Sequence, residues 1–278
     1  MPSLLESTQT DLGGDKLPHC DSRALLLTRY ARPELTDKTV PKRHDYLSAV
    51  IKAPHHDGPL LSWNAWLRQE GSSQKIHARL GYRLLLNMAG SVLENAGINL
   101  DRHGVAYIPG SAVKACARRA ALATLRQWSE TGQKPDEDDL LSPVAGDFTS
   151  PEELLNAVIQ VFGCSDLEWT ECNPDDETGN DLAWACGSQW PALRAAALEQ
   201  INCGSETPHD SAPTRKGSVA FLPAYPDSLP SRDLELDVLT PHHKEYYSSE
   251  NPNAIALDNE DPVPIFFPAV ATGIDYTF

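Results

Sequence analysis

The chain has 278 residues, of which 41% are hydrophobic and 22% charged, and its formal net charge is −16. That length can bury the core of one large domain or two small ones, and the composition is typical of a soluble globular protein. Such acidity argues against nucleic-acid binding, which phosphate contacts dominate. The charge is uneven, however, with 17 Lys and Arg against 12 Asp and Glu in residues 1–130, and 6 against 27 in residues 131–278. The first half therefore permits RNA binding, and charges that only keep the protein soluble are an equal alternative.

Targeting signals and metal motifs are missing from the sequence. No apolar run approaches the roughly 20 residues of a membrane helix, and no basic region followed by an apolar core marks a secretory signal. We therefore expect a cytoplasmic protein without a membrane partner. The six cysteines form no C-x-x-C pair. In the cytosol we expect all six to be reduced thiols that bind neither a metal nor a cofactor, and we expect Cys164, Cys172, Cys186 and Cys203 to be buried.

Residues 1–70 are predicted to be an N-terminal extension that packs on a larger domain, residues 71–278. Prolines punctuate the start of the chain, which predicts one short helix around Ser22–Tyr30 and then loops. Two tryptophans within Leu61–Gln69 indicate a segment that docks on the main body.

Strand signals begin after Lys75. Apolar residues within Ile76–Asn87 predict a partly buried strand, although the end of this run could also begin a helix. The stretch Leu93–Leu100 leads through a turn at Asp101–Gly104 to a short β-prone run at Val105–Ile108.

Two helices are predicted next. An alanine-rich stretch with apolar residues three and four positions apart predicts a helix from about Ser111 to Ser129. The run Ser150-Pro151-Glu152-Glu153 is a capping box with proline at the first helical position. It predicts a helix that ends at Gly163.

Residues 164–216 are predicted to be an acidic insertion with one helix around Pro191–Ile201. Strand signals return after it at Gly217–Leu222, Leu234–Leu239, Val263–Phe267 and Thr272–Phe278. Strands before and after the helices, without a regular β-α-β alternation, favour an α+β domain over a doubly wound sheet.

The strongest local feature is the run YIPGSAVKACAR, which begins at Tyr107. A strand is followed by a Pro-Gly turn and by a helix that begins at Ser111. Backbone N–H groups at a helix start, at the positive end of the helix dipole, bind phosphate oxygens readily. Lys114 and Arg118 are four residues apart, so both project from one helical face. The alternative is an ordinary surface helix with solvated charges.

Residues 79–118 resemble the RAMP superfamily of CRISPR systems. Members share a strand with a leading arginine, an S-V-L-E stretch and Y-I-P-G-S-x-x-K-x-x-x-R at a helix start, and these begin here at Arg79, Ser91 and Tyr107. Downstream, Phe162-Gly163 resembles the family's F-G at a helix end, and Gly217–Phe221 resembles its G-x-V-x-F strand.

The segment from Leu234 to Tyr247 is similar to the D-V-x-x-P-H-x-x-x-Y-Y segment of one subfamily, the sixth subunit of the type III-B (Cmr) effector. The matching pieces span roughly two-thirds of the chain in the expected order. An ordered set of motifs is much more specific than any one of them.

The resemblance implies a ferredoxin-like, RRM-related core and a place at the end of a crRNA-bearing filament, near the 3′ region of the guide. It implies a structural subunit in antiviral defence that binds crRNA, contacts other RAMP subunits and meets target RNA only indirectly. The implied contacts with guide phosphates are Gly110, Ser111, Lys114 and Arg118, with Arg79 a weaker candidate. No catalytic residue is implied, since target-RNA cleavage in type III-B complexes belongs to a different RAMP subunit.

The sequence departs from the family's pattern in two places. Ala115 stands where the helix usually has a glycine. Relatives also end with a further helix and a Gly-rich loop that helps to hold the RNA backbone, whereas this sequence stops at Phe278 without them. We expect a domain that is truncated, split or lacking this element. An apolar face and a sheet edge would then be left open, and the chain would associate with itself.

Two other functions stay open. His242 and His243, beside Tyr246 and Tyr247, suggest an endoribonuclease that trims CRISPR repeats, but acid–base catalysis needs a placed partner that the sequence does not supply. Packing of a loop is the plainer interpretation. The other alternative is a protein-interaction subunit whose acidic half docks on basic partners without touching RNA. The run His55-His56-Asp57 resembles a metal cluster only loosely.

Overall fold

The computed structural model is a mixture of helices and short antiparallel strands, in agreement with the expected mixing of helix and strand. It describes residues 22–28, 41–53, 55, 57–71, 74–86, 98–135, 147–169, 180–202, 214–240, 243–249, 255–256 and 264–278. Every strand pair within those ranges is antiparallel. No helix in them is long and apolar enough to cross a membrane. The S-V-L-E stretch at Ser91, His242 and three of the six cysteines lie outside the described residues.

The chain divides into two compact units. The first consists of Met1–Pro109 together with Pro223–Phe278, and the second is Gly110–Leu222. This division cuts across the expected domain of residues 71–278, because residues 71–109 group with the N-terminal segment. The first unit therefore combines described segments that precede and follow the second unit in the chain.

In its described residues before the first strand, the first unit has the helices α1 (Arg23–Thr28), α2 (Pro41–Ile51) and α3 (Gly58–Gln69). Helix α1 confirms the predicted short helix, but the prediction of loops after it is wrong. Pro41 is the first residue of α2, and Pro59 lies in the first turn of α3. Proline is well suited to that position, because its missing N–H would have no partner there in any case. These prolines begin helices where the sequence pattern indicated only interruptions.

Two small sheets complete the first unit. One has the strand order β1–β7–β4 and the other pairs β5 with β6; the strands are β1 (His77–Arg79), β4 (Tyr225–Pro226), β5 (Leu234–Leu239), β6 (Ile265–Val270) and β7 (Asp275–Thr277). A short helix, α8, lies between β5 and β6 at Lys244–Ser248. The strand predicted at Leu234–Leu239 is confirmed. The run predicted as a strand at Ile76–Asn87 forms only β1 and a single bridge between Leu84 and Val270.

A buried ion pair within the first unit connects α1 with the residue that directly precedes β5. Both guanidinium nitrogens of Arg23 donate to the carboxylate of Asp233, and the two side chains are 1% and 3% exposed. The Nε of Arg23 also donates to the carbonyl oxygen of Gly104 at 2.6 Å. A Cβ added at Gly104 would lie 2.8 Å from Cγ of Arg23, and φ at this residue is +81°. Glycine is therefore required where the predicted turn passes over the arginine.

The second unit is built on α4 (Gly110–Thr131) and α5 (Pro151–Phe162), with α6 (Asp181–Cys186) and α7 (Trp190–Asn202) packed around them. Helix α5 has the predicted cap, since Ser150 accepts a hydrogen bond from the N–H of Glu153, and the helix ends at Gly163 with φ +80°. The segment 164–216 is not peripheral to this unit. Buried residues of its helices, including Trp169 and Trp190, belong to the same apolar core as Leu125 and Leu155.

Candidate nucleic-acid interface

Helix α4 begins at Gly110, one residue before its predicted start. A Cβ added to Gly110 would lie 2.1 Å from the carbonyl oxygen of Phe221, so only glycine fits here. The helix start is thus held directly against the backbone at Phe221–Leu222. This contact explains the Pro-Gly-Ser run in terms of packing, before any ligand is considered.

Two further glycines bring other family-like motifs to the same unit. A Cβ at Gly163 would lie 2.5 Å from the carbonyl oxygen of Arg215, and one at Gly217 would lie 2.4 Å from that of Val161. The rings of Phe162 and Phe221 stack, with centroids 5.4 Å apart. The motifs at Phe162-Gly163 and Gly217–Phe221 therefore cross with their backbones in contact.

This crossing replaces the strand predicted at Gly217–Leu222. The observed strands are β2 (Gly163–Cys164) and β3 (Arg215–Lys216), which pair just before the crossing. Residues 217–222 form no strand, and the N–H of Ser218 donates to the carbonyl of Gln160 at 2.8 Å. Close packing of two glycine backbones leaves no space for a ladder there.

The first turns of α4 present the groups expected to bind phosphate. Ser111 is exposed and Lys114 is half-buried, while the first turn carries no acidic residue. The positive end of the helix dipole is therefore not neutralised by its own first turn. Gly110, Ser111, Lys114 and Arg118 all belong to this helix, whereas Arg79 lies on β1 in the other unit.

Arg118 has partners that the sequence did not predict. One guanidinium nitrogen donates to Asp181 at 2.6 Å and the other to Glu168, and the side chain is 18% exposed. Glu168 in turn accepts a bond from the N–H of Ser165 at 2.8 Å. Arg118 therefore ties α4 to the segment 164–216, which limits its freedom to meet a phosphate.

Other basic residues of this unit differ in how many contacts they make with protein groups. Arg126 lies over the ring of Trp184 at 4.8 Å and pairs with Glu130. Arg215 and Lys216, by contrast, are exposed on β3. Sequence reasoning missed this basic pair, although its position directly before a motif glycine was a usable signal.

Groups that would support catalysis or metal binding are sparse. In the described ranges no three His, Cys, Asp or Glu side chains are placed to hold a metal ion. His243 precedes α8 with φ +63°. Cys164 and Cys186 are buried as expected, and Cys116 is exposed. Burial raises the pKa of the Cys186 thiol to about 12.

Comparison with known proteins shows similarity to a subunit of a CRISPR system. The relative is the CRISPR system Cmr subunit Cmr6 of Pyrococcus furiosus, which is 27% identical over 210 residues, 70% of this chain and 53% of the relative. The chain thus spans about half the length of this curated relative. No family model matches the sequence. The sequence similarity agrees with the expected resemblance to a Cmr subunit.

Two solved structures also match the chain, at low TM-scores. A chain of the type III-B Cmr-beta complex bound to cognate target RNA is 14% identical, with TM-score 0.42, over 85% of this chain and 57% of that one. The crystal structure of Cmr6 from Pyrococcus furiosus is 25% identical, with TM-score 0.27, over 73% of this chain and 80% of that one.

Proposed function

We propose that this chain is a non-catalytic, crRNA-binding structural subunit of a type III-B CRISPR-Cas effector complex, with a ferredoxin-like RAMP core and a place near the 3′ end of the guide. The observation that carries the proposal is the helix start at Gly110, held against Phe221 by a contact that only glycine permits, in a chain similar to a Cmr6 subunit. Its partners would be crRNA and neighbouring RAMP subunits, with target RNA met indirectly, in the cytoplasm.

The helix start supplies the chemistry for holding a guide phosphate. Free N–H groups of the first turn and the hydroxyl of Ser111 donate hydrogen bonds, and Lys114 adds a positive charge one turn above. Arg118 contributes chiefly by fixing α4 against Glu168 and Asp181, because its guanidinium is already paired on both sides. Arg79 would act separately, from the other unit.

Titration of crRNA in a filter-binding assay at several salt concentrations tests the proposal. Lys114→Ala should weaken binding and lower the salt slope by about 0.7, the amount for one phosphate contact on a single strand. Lys52→Ala is the matched control, since Lys52 is an exposed lysine of the first unit. If the wild-type chain binds no crRNA at any salt concentration, the proposed function is wrong.

Incubation with repeat RNA, with and without divalent metal, separates this function from that of an endoribonuclease. We expect intact RNA. Specific cleavage that is lost in His243→Ala would move the protein to the enzymatic class.

A further inference from the structure

The sheet β1–β7–β4 has one face covered with polar and aromatic side chains. Residues directly opposite each other on antiparallel strands point to the same face, as do residues two apart on one strand. The observed register therefore places six side chains on one face in two rows, His77–Thr277–Tyr225 and Arg79–Asp275–Asp227.

This face points away from the core of the first unit. On the opposite face, Tyr276 is 1% exposed and Pro226 is buried, and the Tyr276 hydroxyl bonds to the carbonyl of Ala106. His77 and Arg79, in contrast, are largely open to solvent, and Asp275 is about half exposed. His77, Arg79, Asp227 and Asp275 thus form an accessible surface of the described first unit, with Thr277 buried between them at 7% exposure.

Hydrogen bonds hold part of this surface in a fixed arrangement. The Thr277 hydroxyl donates to the carboxylate of Asp227, and its oxygen lies 2.9 Å from Nδ1 of His77. With its proton directed to Asp227, the hydroxyl accepts from Nδ1–H, which leaves Nε2 of His77 directed outward. Asp227 is held further by the side chain of Asn64, which donates to its backbone carbonyl at 3.0 Å.

Aromatic rings adjoin the surface at Tyr225. Its ring stacks on Tyr107 at 5.4 Å and contacts Trp63 at 5.6 Å, and Trp63 contacts Trp66 at 5.0 Å. Burial and then Asp101 raise the pKa of Tyr225 to about 12, so the phenol stays neutral at physiological pH. Trp66 ends the series with 44% of its surface exposed.

The charges of this surface suit bases better than phosphates. Two carboxylates, Asp227 and Asp275, stand against the single guanidinium of Arg79, which lies 3.9 Å from Asp275, so beyond the one weak phosphate contact proposed for Arg79 the surface repels a phosphate backbone. Carboxylates accept hydrogen bonds from the exocyclic amino groups of bases, and aromatic rings stack on base faces. We propose that this surface binds unpaired, amino-bearing bases (cytosine, adenine or guanine) of single-stranded RNA. The proposal rests on the proposed RNA-binding function and adds a base-reading surface in the unit that does not contain α4.

Asp275→Asn distinguishes two roles of the carboxylate. If Asp275 binds bases, the variant should bind cytidine oligomers more weakly; if Asp275 only repels RNA, the variant should bind them more strongly. Cytidine and uridine oligomers of roughly eight nucleotides, within the usual span of such sites, are compared by fluorescence anisotropy. We expect Asp275→Asn to weaken cytidine binding about fivefold, since an amide oxygen is a weaker acceptor than a carboxylate, and to leave uridine binding equal or stronger. Stronger binding of both oligomers would show that the carboxylate only repels RNA and would overturn the inference.

Trp66→Ala tests the stacking rings independently of charge. Loss of one stacked base should weaken the binding of both oligomers roughly tenfold and leave the salt dependence of binding unchanged. Trp184→Ala is the matched control, because Trp184 is equally exposed at 45% but lies in the second unit. Wild-type RNA binding that neither Asp275→Asn nor Trp66→Ala changes would overturn this inference and leave the proposed function intact. Absence of any RNA binding by the wild type would overturn both.

Discussion

Both units of the chain bury apolar side chains, but among the described residues only the first also holds a fully buried ion pair. The second unit has one continuous apolar core, in which helices close together in sequence bury residues such as Leu125, Leu155 and Trp190. In the first unit, Arg23 on α1 is paired with Asp233, which directly precedes β5 and lies 210 residues further along the chain. Apolar packing tolerates small shifts, whereas a doubly hydrogen-bonded ion pair requires one geometry. The comparison teaches that burial of apolar side chains stabilises both units, and that in the first unit a directional polar interaction also joins segments that are far apart in the chain.

Arg23→Ala should have the largest effect of the changes considered. It leaves the carboxylate of Asp233 buried without its cation, and breaking such a pair costs about 3–5 kcal/mol of unfolding free energy. Urea unfolding followed by circular dichroism measures the loss. Arg83→Ala is the control, because Arg83 pairs with Glu235 and Asp237 on the exposed surface and should change stability little. Equal losses in the two variants would mean that the buried pair does not align the first unit.

Gly163→Ala probes the second unit at its glycine crossing. The residue has φ +80°, and the new Cβ would lie 2.5 Å from the carbonyl oxygen of Arg215. With ψ 173° this backbone conformation is essentially restricted to glycine and costs about 1–3 kcal/mol for a residue with a side chain, and the clash adds to it. Gly132→Ala is the matched control, since Gly132 has φ +68° with open space around it. Thermal unfolding should show a larger drop in the unfolding temperature for Gly163→Ala than for Gly132→Ala. Equal drops would mean that the backbone at Arg215 moves away from the new Cβ at little cost.

Arg118→Ala and Lys114→Ala should affect different quantities. Arg118→Ala removes two ion pairs from a mostly buried guanidinium and should lower unfolding free energy by about 1 kcal/mol. Lys114→Ala should leave stability unchanged and lower the salt slope of crRNA binding. Denaturation and filter binding on both variants distinguish the roles. If Arg118→Ala leaves the stability unchanged but lowers the salt slope of crRNA binding, then Arg118 contacts a phosphate and does not fix α4.

Thiol labelling gives the smallest effect and reports on the tightness of the second core. Cys116 is exposed and should react with iodoacetamide in the native protein, whereas Cys186 should react only after unfolding. The pKa of Cys186 rises from 9.0 to about 12 in the folded chain because of burial. Its contribution to stability is therefore complete below pH 9 and is lost as the pH rises towards 12. If a rapidly labelled thiol of the native protein, other than Cys116, is lost in Cys186→Ser, then this core opens readily.

Local signals in the sequence predicted several elements correctly. The capping box at Ser150, the helix stop at Gly163 and the strand Leu234–Leu239 are confirmed, and α4 begins within one residue of its predicted start. Each of these depends on a side chain or backbone angle within a few residues of the feature it controls. The phosphate-binding role of Ser111 and Lys114 stays a prediction.

Other features were decided only by tertiary structure. The partners of Arg118 lie 50 and 63 residues along the chain, and the segment 164–216, expected to be an insertion, supplies much of the second core. The base-facing surface proposed for the first unit combines β1 with strands some 150 to 200 residues later. The sequence by itself determined where helices and turns begin and end, because those choices are local. Which charges are paired and which sheet face stays open depends on packing between distant segments, and no short sequence pattern encodes that.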